Sequence, residues 1–133
     1  MAAGKYSFTI EQGATTDFEI AYKDSASTPI DLTHYTARMQ IKPSAGSDIV
    51  YLTLSSSLGT CGTGLNMSGS SGANPPTSGT IGIFISAISS SLLTFEQASY
   101  DLEIASGSGV CAVVTRLIEG KVKLTKEITT GTY

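Results

Sequence analysis

Short alternations of apolar and polar residues, separated by clusters of Gly, Ser, Thr, Asp and Pro, run along most of this chain and predict strands. Tyr6, Phe8 and Ile10 alternate with Ser7 and Thr9 in a first strand over Lys5–Glu11. A turn at Gln12–Thr15 leads to a second over Asp17–Lys23, with acids on its outer face. Tyr35–Lys42 predicts a third strand, stopped by Pro43, and Asp48–Leu54 a fourth. In Thr80–Ser86, Ile81, Ile83 and Ile85 point inward while Gly82 leaves room for a close neighbour, the pattern of a central strand. The last long stretch reads as a β-hairpin, Tyr100–Ile104 and Val113–Leu124, reversed at Ala105–Gly109. Along its second arm Val122 and Leu124 are expected inside, Lys121 and Lys123 outside.

Two stretches break the rhythm. Ile88, Leu92 and Phe95 have the i, i+4, i+7 spacing of one helical face, which predicts one or two helical turns within Ala87–Phe95. Ser55–Ser78 is dominated by Ser, Gly, Thr and Asn and reads as a long loop, within which Gly64–Ser68 has the makings of a short strand. The count of seven or eight strands with one short helical segment fits an all-β antiparallel sandwich.

At 133 residues the chain suits one domain, residues 1–133, with one two-layer core. Hydrophobic residues make up 41% and charged residues 14%, so the surface is polar but sparsely charged. A net charge of −3 on scattered acids argues against a nucleic-acid partner, which needs clustered cations. No apolar run reaches the ~20 residues of a membrane span, and Met1–Tyr6 lacks the apolar core of a signal peptide. Cytoplasmic synthesis is the expectation, and in that setting Cys61 and Cys111 are read as free thiols, their pairing left open.

Candidate chemistry is thin, and no catalytic, cofactor or metal residue is assigned. Asp101 and Glu103 share a strand face, but neither a calcium loop nor an opposed carboxylate accompanies them; Arg116 is placed to pair with one of them across the hairpin. His34 is the single histidine, which excludes a histidine-rich zinc site. The serine runs lack a nucleophile elbow, and the glycine-rich pieces lack a phosphate-binding lysine. Asp31-Leu32-Thr33 reads as a turn in which side chains bond nearby amides while Leu32 enters the core. Contact surfaces remain. Leu58, Leu65 and Met67 are candidates in the long loop, and Thr130, Thr132 and Tyr133 at the C-terminus.

Several motifs occur together and in order: Phe8–Gly13, Thr28-Pro29-Ile30-Asp31-Leu32-Thr33-His34-Tyr35-Thr36-Ala37-Arg38-Met39-Gln40-Ile41, Gly79–Ile81, Tyr100–Ile104 and Thr115–Val122. In this set the chain resembles small structural proteins of tailed bacteriophages and is similar to the N-terminal domain family of phage baseplate upper proteins. The resemblance covers nearly everything outside Ser55–Ser78. It implies an immunoglobulin-like β-sandwich in a virion, a joining or attachment module without catalysis. The chain departs from the baseplate proteins after Lys126, where no linker or receptor-binding domain follows. The expectation is therefore an accessory tail or baseplate subunit, present in several copies and bound to other virion proteins. A capsid decoration protein is the alternative, and a host-surface carbohydrate-binding module a further one, disfavoured by the absence of Trp.

Overall fold

The computed structural model describes residues 4–23, 26–69, 72, 75–107 and 109–129. Its strands are β1 (Gly4–Lys5), β2 (Phe8–Glu11), β3 (Thr16–Ala21), β4 (Tyr35–Lys42), β5 (Leu52–Ser55), β6 (Gly64–Asn66), β7 (Thr80–Ile85), β8 (Gln97–Ser106) and β9 (Val113–Thr125). A single short α-helix, α1 (Ala87–Ser91), links β7 to β8. A six-stranded sheet has the order β1-β9-β8-β4-β5, with β2 also on β9, and a three-stranded sheet has the order β3-β7-β6. This is a β-sandwich, and its arrangement, β9-β8-β4-β5 against β3-β7-β6, is that of an immunoglobulin-like fold with an extended larger sheet.

The alternation read from the sequence sets the layers. Ala37, Met39 and Ile41 of β4 and Ala98, Tyr100, Leu102 and Ile104 of β8 point into the core, where they meet Ile81, Ile83 and Ile85 of β7. Leu32, Leu54, Leu65 and Val122 join them, each at most 1% exposed. Burial of each such aliphatic chain contributes roughly 1.5–3 kcal/mol. Thr33 donates its backbone N–H to Asp31 Oδ1 at 2.9 Å, which holds the turn that drives Leu32 inward.

The structure differs from the sequence reading in three places. The first predicted strand is two, β1 and β2, broken at Tyr6 and Ser7, and both run parallel to β9 where an antiparallel sandwich was expected. Gly120 explains the break. Its missing side chain admits the Tyr6 carbonyl so closely that a Cβ there would lie 2.0 Å from Tyr6 O. The fourth strand starts at Leu52 instead of Asp48, because Leu52 pairs with Ile41 and the next positions back pass the end of β4 at Pro43, which has no N–H to donate. Ile49 and Val50 are left exposed.

Within the long Ser55–Ser78 stretch the short strand expected at Gly64–Ser68 is present as β6, and it places Leu65 opposite Ile83 in the core. The predicted helical face also fails: Ile88 and Leu92 are 55% and 77% exposed, whereas Ser90 is fully buried. At five residues α1 is little more than one turn, and hydrogen bonding decides its inward face. Ser90 Oγ accepts from Gly13 N at 3.1 Å and donates to Ala14 O at 2.8 Å, while the chain beyond the helix delivers Leu93 and Phe95 inward.

Candidate functional site

The outward side chains of the six-stranded sheet form cross-strand rows fixed by register. Arg116, Glu103 and Arg38 make one row, with Ser55 beyond; Glu119, Asp101 and Gln40 the next, with Thr53 beyond; Lys121, Ser99 and Lys42 the third. Gln97 and Lys123 form a fourth. Arg116 joins this face because β9 carries a bulge opposite Leu102 and Glu103, which leaves Leu117 as the extra residue and turns it inward at 7% exposure. Without the bulge, counting back by twos from Lys121 and Glu119 would put Leu117 outside and Arg116 in the core.

These rows floor an open groove of about 810 Å³, walled at one end by the Ser44–Gly46 turn. It gathers five of the chain's eight cations, Lys5, Arg38, Lys42, Arg116 and Lys121, but only three of its eleven carboxylates, Asp101, Glu103 and Glu119. The groove thus holds an excess of two positive charges on a chain whose net charge is −3.

All three carboxylates are engaged. Arg38 Nε reaches Glu103 Oε1 at 2.8 Å, Arg116 Nε reaches Asp101 Oδ2 at 3.2 Å and Arg116 Nη1 reaches Glu119 Oε2 at 3.4 Å. Lys5 pairs with Glu119 from β1. The pairing of Arg116 with Asp101 is the cross-hairpin contact expected from the sequence. Exposed pairs of this kind add little stability; they fix where the side chains point. Burial, followed by the charge of Glu103, raises the Asp101 carboxyl above its ordinary range despite Arg116. Lys5 holds Glu119 below its ordinary range, chiefly by a hydrogen bond. The two acids sit in unlike fields, but each is committed to a cation.

Lys42 and Lys121 have no carboxylate partner among the described residues. Lys121 Nζ donates to Ser99 Oγ at 3.0 Å, between the two lysines. Lys123 likewise has no carboxylate partner there, and it lines a smaller depression of about 360 Å³ with Ser7, Phe8, Thr9, Gln97 and Lys121. Since Ser7 and Lys121 belong to both hollows, the basic strip is continuous with the groove.

The contact residues named from the sequence are dispersed. Leu58 is 53% exposed beside β6, whereas Leu65 is wholly buried and is corrected from contact residue to core residue; Met67 is half-buried against the core. Thr130, Thr132 and Tyr133 lie outside the described residues. A second exposed cluster went unread: Val110, Val113 and Val114, at 104%, 65% and 49% exposure, with exposed Cys111 among them, at the end of the β8–β9 hairpin. Its signal was the non-alternating run Val110–Val114, which no half-buried strand needs. Beside it, residues 113–117 of β9 pair with no other strand on their outer edge among the described residues.

Cys61 and Cys111 are free and exposed. Among the described residues no three His, Cys, Asp or Glu side chains are grouped to hold a metal ion, and no helix is long and apolar enough to cross a membrane. His34 lies on the turn before β4 with φ 70°. No protein-family model matches the chain, and comparison with curated proteins finds no significant sequence match.

Proposed function

We propose that this chain is a non-enzymatic joining subunit of a tailed-bacteriophage virion, attached at the tail or baseplate and held to its neighbours by its loops and strand edges. The ordered motifs carry the phage resemblance, and the immunoglobulin-like sandwich agrees with the fold that resemblance implies.

The observation that favours joining is the valine-bearing end of the β8–β9 hairpin. Three exposed valines cluster within five residues at a strand edge that pairs with no other strand among the described residues, whereas single exposed apolar residues are ordinary on soluble domains. An edge with outward N–H and C=O groups adds directional bonding to that surface. Charge on the edge is confined to Arg116, already neutralised by Asp101 and Glu119.

A binding assay on particles lacking the subunit tests this reading. Purified protein should sediment with them, and a V110S/V113T/V114T variant that retains the wild-type circular dichroism spectrum should remain in the supernatant. Equal sedimentation of the two would remove the hairpin end from the account.

A further inference from the structure

We propose that the lysine strip Lys42–Lys121–Lys123 is a carboxylate-binding track that receives an extended acidic segment of a partner polypeptide. This goes beyond the joining role, uses a different surface from the hairpin end, and is a property of the isolated domain.

The groove neutralises itself everywhere except here. Glu103, Asp101 and Glu119 are each held by Arg38, Arg116 or Lys5, while the three lysines of the strip form no ion pair among the described residues, Lys42 acting on Asp101 only at longer range as the weakest influence on that carboxyl. Fields of one sign over a shallow hollow concentrate counter-ions of the other.

Spacing selects the occupant. Lys121 and Lys123 lie two residues apart on one strand face, about 7 Å, and Lys42 stands two strands away, about 10 Å, from Lys121. An extended chain running along β9 with acids at alternate positions repeats at the same ~7 Å as Lys121 and Lys123 and presents successive carboxylates to one side, with Lys42 flanking it across β8. Ser99 and Gln97, on the strand between, offer a hydroxyl and an amide to the backbone of such a chain.

The test is an amide NMR titration of the whole chain with a capped peptide alternating Asp and Gly, against its Asn counterpart. The proposal expects saturable shifts at Gln97, Ser99, Lys121 and Lys123, no response to the Asn peptide, and weakening by added salt. K42Q, K121Q and K123Q should each weaken binding at least about threefold and together abolish saturation, while K23Q, outside the groove, should leave it unchanged.

Absence of saturable shifts would overturn the proposal, as would an equal effect of K23Q. Saturation of the same amides by inorganic phosphate at the same concentrations would reduce the track to a simple anion seat. Tighter binding of a single-stranded oligonucleotide would reassign it to nucleic acid. Salt-sensitive self-association abolished by the same variants would replace the partner segment with a second copy, whose exposed Asp17 and Glu19 on β3 have the same spacing. None of these outcomes bears on whether the hairpin end joins particles.

Discussion

Gly120→Ala is the substitution whose effect follows most directly from the geometry. Gly120 faces the break between β1 and β2, and a Cβ there would stand 2.0 Å from Tyr6 O, 2.8 Å from Tyr6 C and 3.3 Å from Ser7 Oγ. The obstacle is backbone, so no rotamer change relieves it, and the Tyr6 carbonyl must retreat by about 1 Å or more to reach normal contact. That carbonyl accepts the Tyr100 hydroxyl at 2.5 Å, and Tyr6 N donates to Glu119 O at 3.0 Å. Losing both hydrogen bonds costs about 1 kcal/mol each, and leaving the Tyr100 hydroxyl without its acceptor adds about 1–3 kcal/mol. The stiffer unfolded chain of the alanine variant returns about 0.4–1 kcal/mol.

The net destabilisation should be about 3 kcal/mol, or a fall in Tm on the order of 10 °C. Urea unfolding at unchanged m reads it. In a Y100F background the same substitution should cost at least about 2 kcal/mol less, because both the hydroxyl's hydrogen bond and the penalty for stranding it are already gone. A G120A protein within about 0.5 kcal/mol of wild type would refute the close approach of β1 and β2 to β9.

Three further expectations concern the core, the buried polar network and pH. Leu65→Ala should cost about 2–5 kcal/mol and Leu58→Ala less than about 1 kcal/mol in the same urea assay; reversed values would return Leu65 to the surface. Thr63→Val should cost about 1–3 kcal/mol, because Thr63 Oγ1 accepts from Ser86 N at 2.9 Å and bonds Ser86 Oγ at 2.9 Å and Ser89 Oγ at 3.0 Å at the start of α1. A neutral effect on thermal unfolding would place that hydroxyl outside the network. Burial raises the Tyr100 phenol above its ordinary value of 10.0, so above about pH 10 the unfolded chain releases its proton first. Stability is then lost as pH rises, by up to about 1.4 kcal/mol per unit. Y100F, although less stable at neutral pH, should show a shallower alkaline decline in stability, and an identical slope would mean that Tyr100 titrates freely.

The sequence was legible where period and punctuation agreed. Tyr35–Lys42 alternates for eight residues and ends at Pro43, and β4 has those bounds. Val122, Leu124, Lys121 and Lys123 point as their alternation requires. The charged groove was less legible, because it depends on partners far apart in the chain. Arg38, Gln40 and Lys42 enter it through the pairing of β4 with β8, and Arg116 through the bulge at Leu117, neither of which period-two counting supplies. The helical reading of Ile88, Leu92 and Phe95 failed because Ser90 bonds to the turn before β3 outweigh an apolar face on so short a helix. Leu65 was misassigned as a contact residue although its short strand was legible, because which face of that strand is covered depends on its pairing with β7.

The proposed joining role in a tailed virion is tested most directly by looking for the protein on purified tailed-phage particles from cultures that produce it, by immunogold electron microscopy paired with mass spectrometry of the particles. The account predicts label at the tail or its tip and peptides of this chain in the particle spectrum. Absence of both, or label confined to the head shell, would contradict it.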